Sequence, residues 1–435
     1  MSPTAAGLVG LAALFFLLGI RVPVGIAMML VGAAGFSALN GVPAGIALLA
    51  SEPFVIASSY ELIVIPLFVL MGNIATLSGM SRDLYGAAYA WIGHWRGGLA
   101  SATIAACAGF AALSGSSVAS AVTMGSVALP EMRRYEYDTS LATGSIAAGG
   151  TLGILIPPST GFVIYALLTE ESIGRLFLAG VFPGLLLTAL FMLAIHIQTR
   201  FKPELGPAGP RRTAAERRIA TGRAVPMIAI VAVTIGGIYA GVFTPTEAAG
   251  VGAGLALGLA VVRRRATPQA LLGAALKTVD TTAMVFLILL GAHLFGPFLA
   301  LTHIPSDLAG LLGDLPMPRV AVLGIILLAY VVMGTFLEGF AMLVLTLPIV
   351  HPIILALGYD PIWFGVVMVL VLEMGLISPP VGINVFVVKA IAEDVPMNRI
   401  FAGIMPFWIA MLVCLAILVA FPVIAMFLPD RMIGG

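Results

Sequence analysis

Four short stretches gather hydroxyl groups, glycine and proline inside an otherwise apolar chain. They are Ser114-Gly115-Ser116-Ser117, Gly149 to Ser159, Gly334 to Gly339, and Glu373 to Asn384. A helix interrupted at such a stretch exposes its ends, with positive dipole and free N–H groups at an N-terminus and free carbonyls at a C-terminus. Hydroxyls and unwound carbonyls are hard oxygen donors that suit a sodium ion, whereas helix N-termini suit a carboxylate. A plainer reading is that small residues merely let helices pack closely in a membrane. Four such motifs arranged in pairs favour ion and substrate sites.

A few charged groups fall near these breaks. Glu338 and Glu373 sit deep in apolar sequence, and an intramembrane acid is a functional candidate by default. Thr244-Pro245-Thr246-Glu247 spells a helix-starting box with proline at its first position, so helix initiation explains it better than transport. Asp280 heads a span and serves as a cap, and Lys389 lies near a helix end from which it can snorkel. Glu61 either faces a cavity or lies solvated at the outer interface, the second being preferred. His293, without an evident metal partner, reads as a hydrogen-bonded interior histidine. Two isolated cysteines, Cys107 and Cys414, make neither a disulfide framework nor a zinc site.

The surrounding composition names the solvent. Of 435 residues 60% are hydrophobic and 9% charged, with a mean hydropathy of +1.12; a water-soluble domain carries about 25% charged residues. The net charge of +1 gives nucleic acid no footing. Met1 to Ile20 lacks the basic start and small-residue cleavage site of a signal peptide, so it is expected to span, with the N-terminus outside and Arg21 in the cytoplasm. Long spans are expected at 4–20, 22–40, 54–80, 176–198, 224–242, 244–262, 279–301 and 400–428. The pieces 97–130 and 319–351 are expected as re-entrant hairpins. The pieces 139–169 and 361–391 should be helices broken at Pro157-Pro158 and Pro379-Pro380, because proline removes a backbone donor. Segments 82–95 and 266–278 are too polar to span and suit interfacial helices, with Trp91 and Trp95 in an aromatic belt. The basic loop 199–223 and Arg263-Arg264-Arg265 belong in the cytoplasm, which leaves both termini outside.

The breaks repeat. A shift of 222 residues lays 130–158 over 352–380 with six identities in 29 positions, three of them prolines. It pairs Pro130 with Pro352, Tyr137-Asp138 with Tyr359-Asp360, Gly153 with Gly375, and Pro157-Pro158 with Pro379-Pro380. Each half then reads as three spans, a hairpin, a broken helix and a final span. Five crossings per half make the repeat inverted, an architecture of secondary transporters. The expected fold is an all-α polytopic membrane protein with two inverted repeats and elevator-type motion. Its regions are 1–80 as scaffold, 81–95 as connector, 96–198 as first transport region, and 199–223 as basic loop. There follow 224–262 as scaffold, 263–318 as interfacial helix, span and connector, and 319–428 as second transport region.

These stretches resemble the large membrane subunit of the tripartite ATP-independent periplasmic (TRAP) transporters, of the ion transporter superfamily. The resemblance rests on Gly115-Ser116-Ser117-Val118-Ala119, Gly149 to Ser159, Thr244 to Ala248, and Ile377 to Asn384, and covers essentially the whole chain. It implies sodium-coupled uptake at the bacterial inner membrane, with sodium as coupling ion and no other cofactor. It also implies a small four-span membrane subunit and a periplasmic binding protein that delivers a small organic acid, such as a C4-dicarboxylate or sialic acid. Carried over by motif, it implicates Ser116, Ser117, Gly153 and Pro157 in one sodium site and Thr335, Gly339, Gly375 and Ser378 in the other. Ser58, Ser59, Ser159, Glu338 and Asn384 are the corresponding candidates for substrate contact. A stand-alone ion-coupled carboxylate or anion transporter of related fold is the alternative. An intramembrane enzyme is disfavoured, since no H-E-x-x-H or G-x-S-x-G constellation is present.

Overall fold

In the computed structural model, residues 2–313 and 317–432 are described, so three residues of the predicted 263–318 region, 314–316, lie outside the described residues. Helices account for all the regular structure among them: α1 Pro3–Gly19, α2 Val24–Asn40, α3 Val42–Ser58, α4 Val64–Ser78, α5 Met80–Ile92, α6 Gly98–Ser114, α7 Ser117–Arg134, α8 Thr139–Leu155, α9 Thr160–Thr169 and α10 Ile173–Phe201. The second half comprises α11 Ala214–Tyr239, α12 Pro245–Val262, α13 Pro268–Leu301, α14 Ile304–Gly313, α15 Arg319–Gly334, α16 Gly339–Ala356, α17 Pro361–Ile377, α18 Ile383–Ile391, α19 Met397–Ala420 and α20 Val423–Met426. Among the described residues, eight helices, counting α8 with α9 as one and the turn Tyr60–Ile63 with α4, are long and apolar enough to cross a membrane.

Local chemistry sets the boundaries. Both hairpins form where expected: α6 ends at Gly115, whose φ of +58° favours glycine, and Ser116 caps α7 by accepting from the Ala119 N–H at 3.3 Å. The second turns through Thr335 to Glu338, and the Glu338 carboxylate caps α16 by accepting from the Ala341 N–H at 3.0 Å. The broken helices part at the two proline pairs, both joined by cis peptide bonds. Ser159 then restarts α9, and Gly382, with φ +61°, precedes α18. The Thr244–Glu247 capping box is present, and a second one joins Thr213 and Glu216 at the start of α11.

Three sequence expectations require correction. The predicted span 54–80 is two helices, because the chain leaves α3 at Ser59 and passes through a 3-10 turn, Tyr60–Ile63, before α4. Residues 42–53 are helical as well, started by Pro43 in the first turn and continuing past Pro53. The predicted interfacial segment 266–278 and span 279–301 are one 34-residue helix, α13, so Asp280 lies inside it; the cap is Thr267, which accepts from the Ala270 N–H at 3.3 Å. The predicted span 400–428 stops at Ala420, just before Pro422.

Helices α8 and α17 are the most enclosed, each buried along nearly its whole length. Large apolar side chains on the outer helices, such as Phe16, Leu185, Val262 and Leu328, are exposed. Two sets of contacts mark the opposite ends of the bundle. At one end, Leu205 O accepts from the Asp138 N–H at 3.0 Å, Arg133 pairs with Asp394 at 2.5 Å, and Arg263 pairs with Asp83 at 2.6 Å. At the other, the Tyr165 hydroxyl donates to Pro361 O at 2.7 Å and the Trp363 indole donates to Leu418 O at 3.0 Å. The start of α8 and the start of α17 therefore lie at opposite ends.

Candidate functional site

A cavity of about 350 Å³ lies where both hairpin turns and both broken helices meet. Ser114, Ser116 and Ser117 reach it from the first turn, and Thr160 and Gly161 from the start of α9. Glu338, Gly339 and Phe340 reach it from the second turn, Leu372, Glu373 and Leu376 from α17, and Ile383 from the start of α18. Asn73 and Thr76 of α4 and Thr281 of α13 complete the polar wall. Four helices, α7, α9, α16 and α18, thus begin at one cavity, which concentrates free N–H groups and positive dipole ends there. No Lys, Arg or His lines it among the described residues.

Each hairpin grips the broken helix of its own half. In the first, the Thr160 hydroxyl donates to Gly115 O at 2.8 Å, and a Cβ at Gly115 would stand 3.0 Å from Pro158 O. Gly153 faces the Ser116 carbonyl so closely that a Cβ there would collide with it. Ser114 and Ser120 share a hydroxyl hydrogen bond of 2.7 Å under the turn. In the second, Gly334 and Gly375 cross backbone to backbone, and a Cβ at Gly375 would stand 2.6 Å from the Gly334 Cα.

The residues singled out from sequence divide into those at the cavity and those away from it. Ser116, Ser117, Gly339 and Glu338 line it. Gly153, Pro157, Ser159 and Gly375 lie behind the wall; Ser159 accepts from the Phe162 N–H at 3.2 Å as the cap of α9. Thr335 is buried and its hydroxyl donates to Val332 O at 2.8 Å. Ser378 is also buried; its hydroxyl donates to Met374 O at 2.6 Å and accepts from the Trp408 indole at 2.8 Å. Asn384 is fully buried away from the cavity, and neither end of its amide has a partner. Ser58 is exposed and Ser59 half-buried at the end of α3, and the cavity reaches neither. Exposed Glu61 is likewise outside the cavity. His293 differs from the interior histidine expected: its side chain is 38% exposed and lies 3.5 Å from the Glu52 carboxylate.

Glu373 has the least satisfied chemistry. It is 1% exposed, and neither carboxylate oxygen has a hydrogen-bond partner. Asn73, Thr76 and Thr281 escaped the sequence reading; Asn73 donates to the Thr278 hydroxyl at 3.0 Å, tying α4 to α13 beside the cavity. A lone amide within the apolar run Val64–Ser78 was the available signal.

Apolar outer helices around an enclosed polar site formed by paired hairpins and broken helices define a multi-pass membrane protein of the transporter class. A solved structure with this fold is the YdaH transporter of Alcanivorax borkumensis, at a TM-score of 0.53 and 14% identity over 87% of this chain and 89% of that one. Residues 11–424 match the family model of the tripartite ATP-independent periplasmic transporter, DctM component, and the chain belongs to that family. Similar proteins include the C4-dicarboxylate TRAP transporter large permease protein of Pseudomonas aeruginosa, 38% identical over 89% of this chain and 90% of that one. The ectoine/5-hydroxyectoine TRAP transporter large permease protein of Ruegeria pomeroyi is 33% identical over 85% and 86%.

Proposed function

We propose that the chain is the transport subunit of a sodium-coupled importer of small organic acids at the bacterial inner membrane. The observation that carries this reading is the meeting of four helix N-termini at a cavity that no basic side chain lines among the described residues. Free N–H groups offer a carboxylate hydrogen bonds without a counter-charge. The turn hydroxyls, with Gly153 and Pro157 behind Ser116 and Ser117, offer oxygen donors for one sodium ion. Thr335, Gly339, Gly375 and Ser378 offer them for a second. Ser58 and Ser59 drop out of the proposed substrate contacts on position, and Asn73 and Thr281 enter.

The opposite placement of the starts of α8 and α17 supports two inverted halves. Arg133, Arg134, Arg263 and the 199–223 loop at one end favour that end as cytoplasmic, with both chain termini periplasmic. Hairpins and broken helices would move together as an elevator against α1–α4 and α11–α13. A binding protein would deliver substrate to the outer face, and a small four-span subunit would pack on the exposed scaffold helices. The different solutes named for the two relatives leave the particular acid to that binding protein.

Proteoliposomes holding the chain and its small subunit test this. An inward sodium gradient with loaded binding protein should drive uptake, and a proton gradient in sodium-free buffer should not. Equal uptake on protons refutes the coupling, and robust uptake of free substrate without binding protein favours the stand-alone carrier.

A further inference from the structure

A second polar cavity, of about 730 Å³, opens at the basic end between α5 and the start of α11. Arg211, Arg212, Arg217 and Arg218 line it with Trp91 and Thr221. The two helices are pinned together, since the Trp91 indole donates to the Thr221 hydroxyl at 2.9 Å and the Arg217 guanidinium stacks 5.4 Å above the Trp91 ring. Arg212 is engaged by Glu216 at 2.9 Å. Among the described residues, Arg211, Arg217 and Arg218 have no acidic partner, and the buried Nε of Arg217 has no hydrogen-bond partner at all. Three uncompensated guanidiniums around an orphaned donor describe a place for a doubly hydrogen-bonded anion, and phosphate oxygens fit the guanidinium fork.

Position decides which phosphate. Helix α11 has 26 residues, whereas about 20 cross the hydrocarbon, so its first turns, with Arg217 and Arg218, extend into the headgroup layer. Trp91 and Trp95 are each about half exposed, as in an interfacial belt. Below the arginines the wall continues through Val225 to Ile228, both about half exposed on the outer surface, which provides a track for an acyl chain. One turn beyond Trp91, a neighbouring cavity is lined by Trp95, Arg96, His196 and Arg200, extending the basic rim.

We propose that this cavity binds the phosphate of an anionic phospholipid and so clamps the connector helix α5 to α11. Basic pockets between helices at the cytoplasmic surface recognise such headgroups, and each arginine there strengthens the attraction several-fold. The test titrates the purified full-length chain in mild detergent with phosphatidylglycerol or phosphatidylcholine and counts bound lipid by native mass spectrometry. Phosphatidylglycerol should bind about tenfold more tightly. The double variant R217Q/R218Q, confirmed as monodisperse and helical, should bring the ratio close to one. The variant R82Q/R264Q removes the same charge from exposed arginines elsewhere and should keep the preference. Equal loss in both variants, or no preference in the native chain, overturns the site. Displacement of the lipid by millimolar inorganic phosphate or glycerol phosphate reassigns it to a soluble phosphate and overturns the lipid clamp.

Discussion

The two hairpin turns occupy matching places in the two halves yet hold their broken helices by different means. The first adds a hydroxyl bond, Thr160 to the Gly115 carbonyl, to a glycine approach of Gly153 against the Ser116 carbonyl, and Ser114 bonds Ser120 within the hairpin itself. The second makes its closest approach through bare backbone at Gly334 and Gly375, and its polar group is the Glu338 carboxylate. Phe336, at its tip, is 67% exposed, while the first turn is largely enclosed. The added hydroxyl bond fixes one turn in direction as well as distance. A glycine crossing fixes distance alone, and leaves the second turn freer to lift. The chemistry differs correspondingly, with serines at one turn and the Glu338 carboxylate at the other, while Glu373 of α17 lines the cavity that both turns share.

The largest expected effect breaks the glycine crossing. G375V places side-chain atoms where the Gly334 backbone already lies, 2.6 Å from the new Cβ, and no flexible group can yield. Overpacking costs about 1–3 kcal/mol, and reaches the upper end where backbone is met, so uptake should vanish and folded protein should fall in size-exclusion analysis. G153V should be similarly severe, because its Cβ meets the Ser116 carbonyl and the Ser120 hydroxyl. A well-folded, active G375V protein would show that the second turn does not rest on α17.

Next in size is E373Q. The substitution keeps volume but removes the ionisable oxygen of a buried carboxyl group that has no partner. The protein should fold at normal yield while initial uptake drops at least about tenfold, equivalent to about 1.4 kcal/mol in the transport barrier. Unchanged uptake would make Glu373 a passive wall. T160V is smaller: it removes one hydroxyl bond to Gly115 O, worth about 1 kcal/mol. It should raise the sodium concentration for half-maximal uptake several-fold, whereas T335V, which keeps the Thr335 carbonyl and loses only a hydroxyl bonded to Val332 O, should shift it less.

The smallest effect lies at the entrance to the first broken helix. Burial raises the Asp138 pKa, but hydrogen bonds from the Ser140 side chain and the Ser140 and Leu141 N–H groups, with the charge of Arg399, hold it below 3.8 overall. A depressed carboxylate stabilises the fold above its ordinary range and loses that contribution as pH falls through the lowered value. D138A should therefore cost about 1 kcal/mol at pH 7, and thermal unfolding should show the gap to the native chain narrowing below about pH 4.

The sequence made the breaks legible because proline pairs and glycine-serine turns act locally. A missing N–H stops a helix whatever surrounds it, and the 222-residue shift carries α7, α8 and α9 onto α16, α17 and α18 almost residue for residue. Helix α3 was obscured because Ser51-Glu52-Pro53 resembles a loop, whereas in the fold it continues as helix and its Glu52 meets His293 of α13. The long α13 was divided on its Lys277 and Asp280, charges that a helix carries without a break where it is exposed. The cavity wall from α4 and α13 was invisible for another reason. Asn73 and Thr281 become neighbours of the turns only by packing across some 200 residues of chain, and no local motif announces that.

The central claim is that the two halves are inverted around one cavity, and it is tested most directly by side-specific labelling. Single cysteines are placed at 138 and 360, the caps of α8 and α17, in intact cells; native Cys107 and Cys414 are buried and give little background. A membrane-impermeant thiol reagent should label position 360 from outside and reach position 138 only after the cells are opened. Labelling of both positions from the same side would contradict the account.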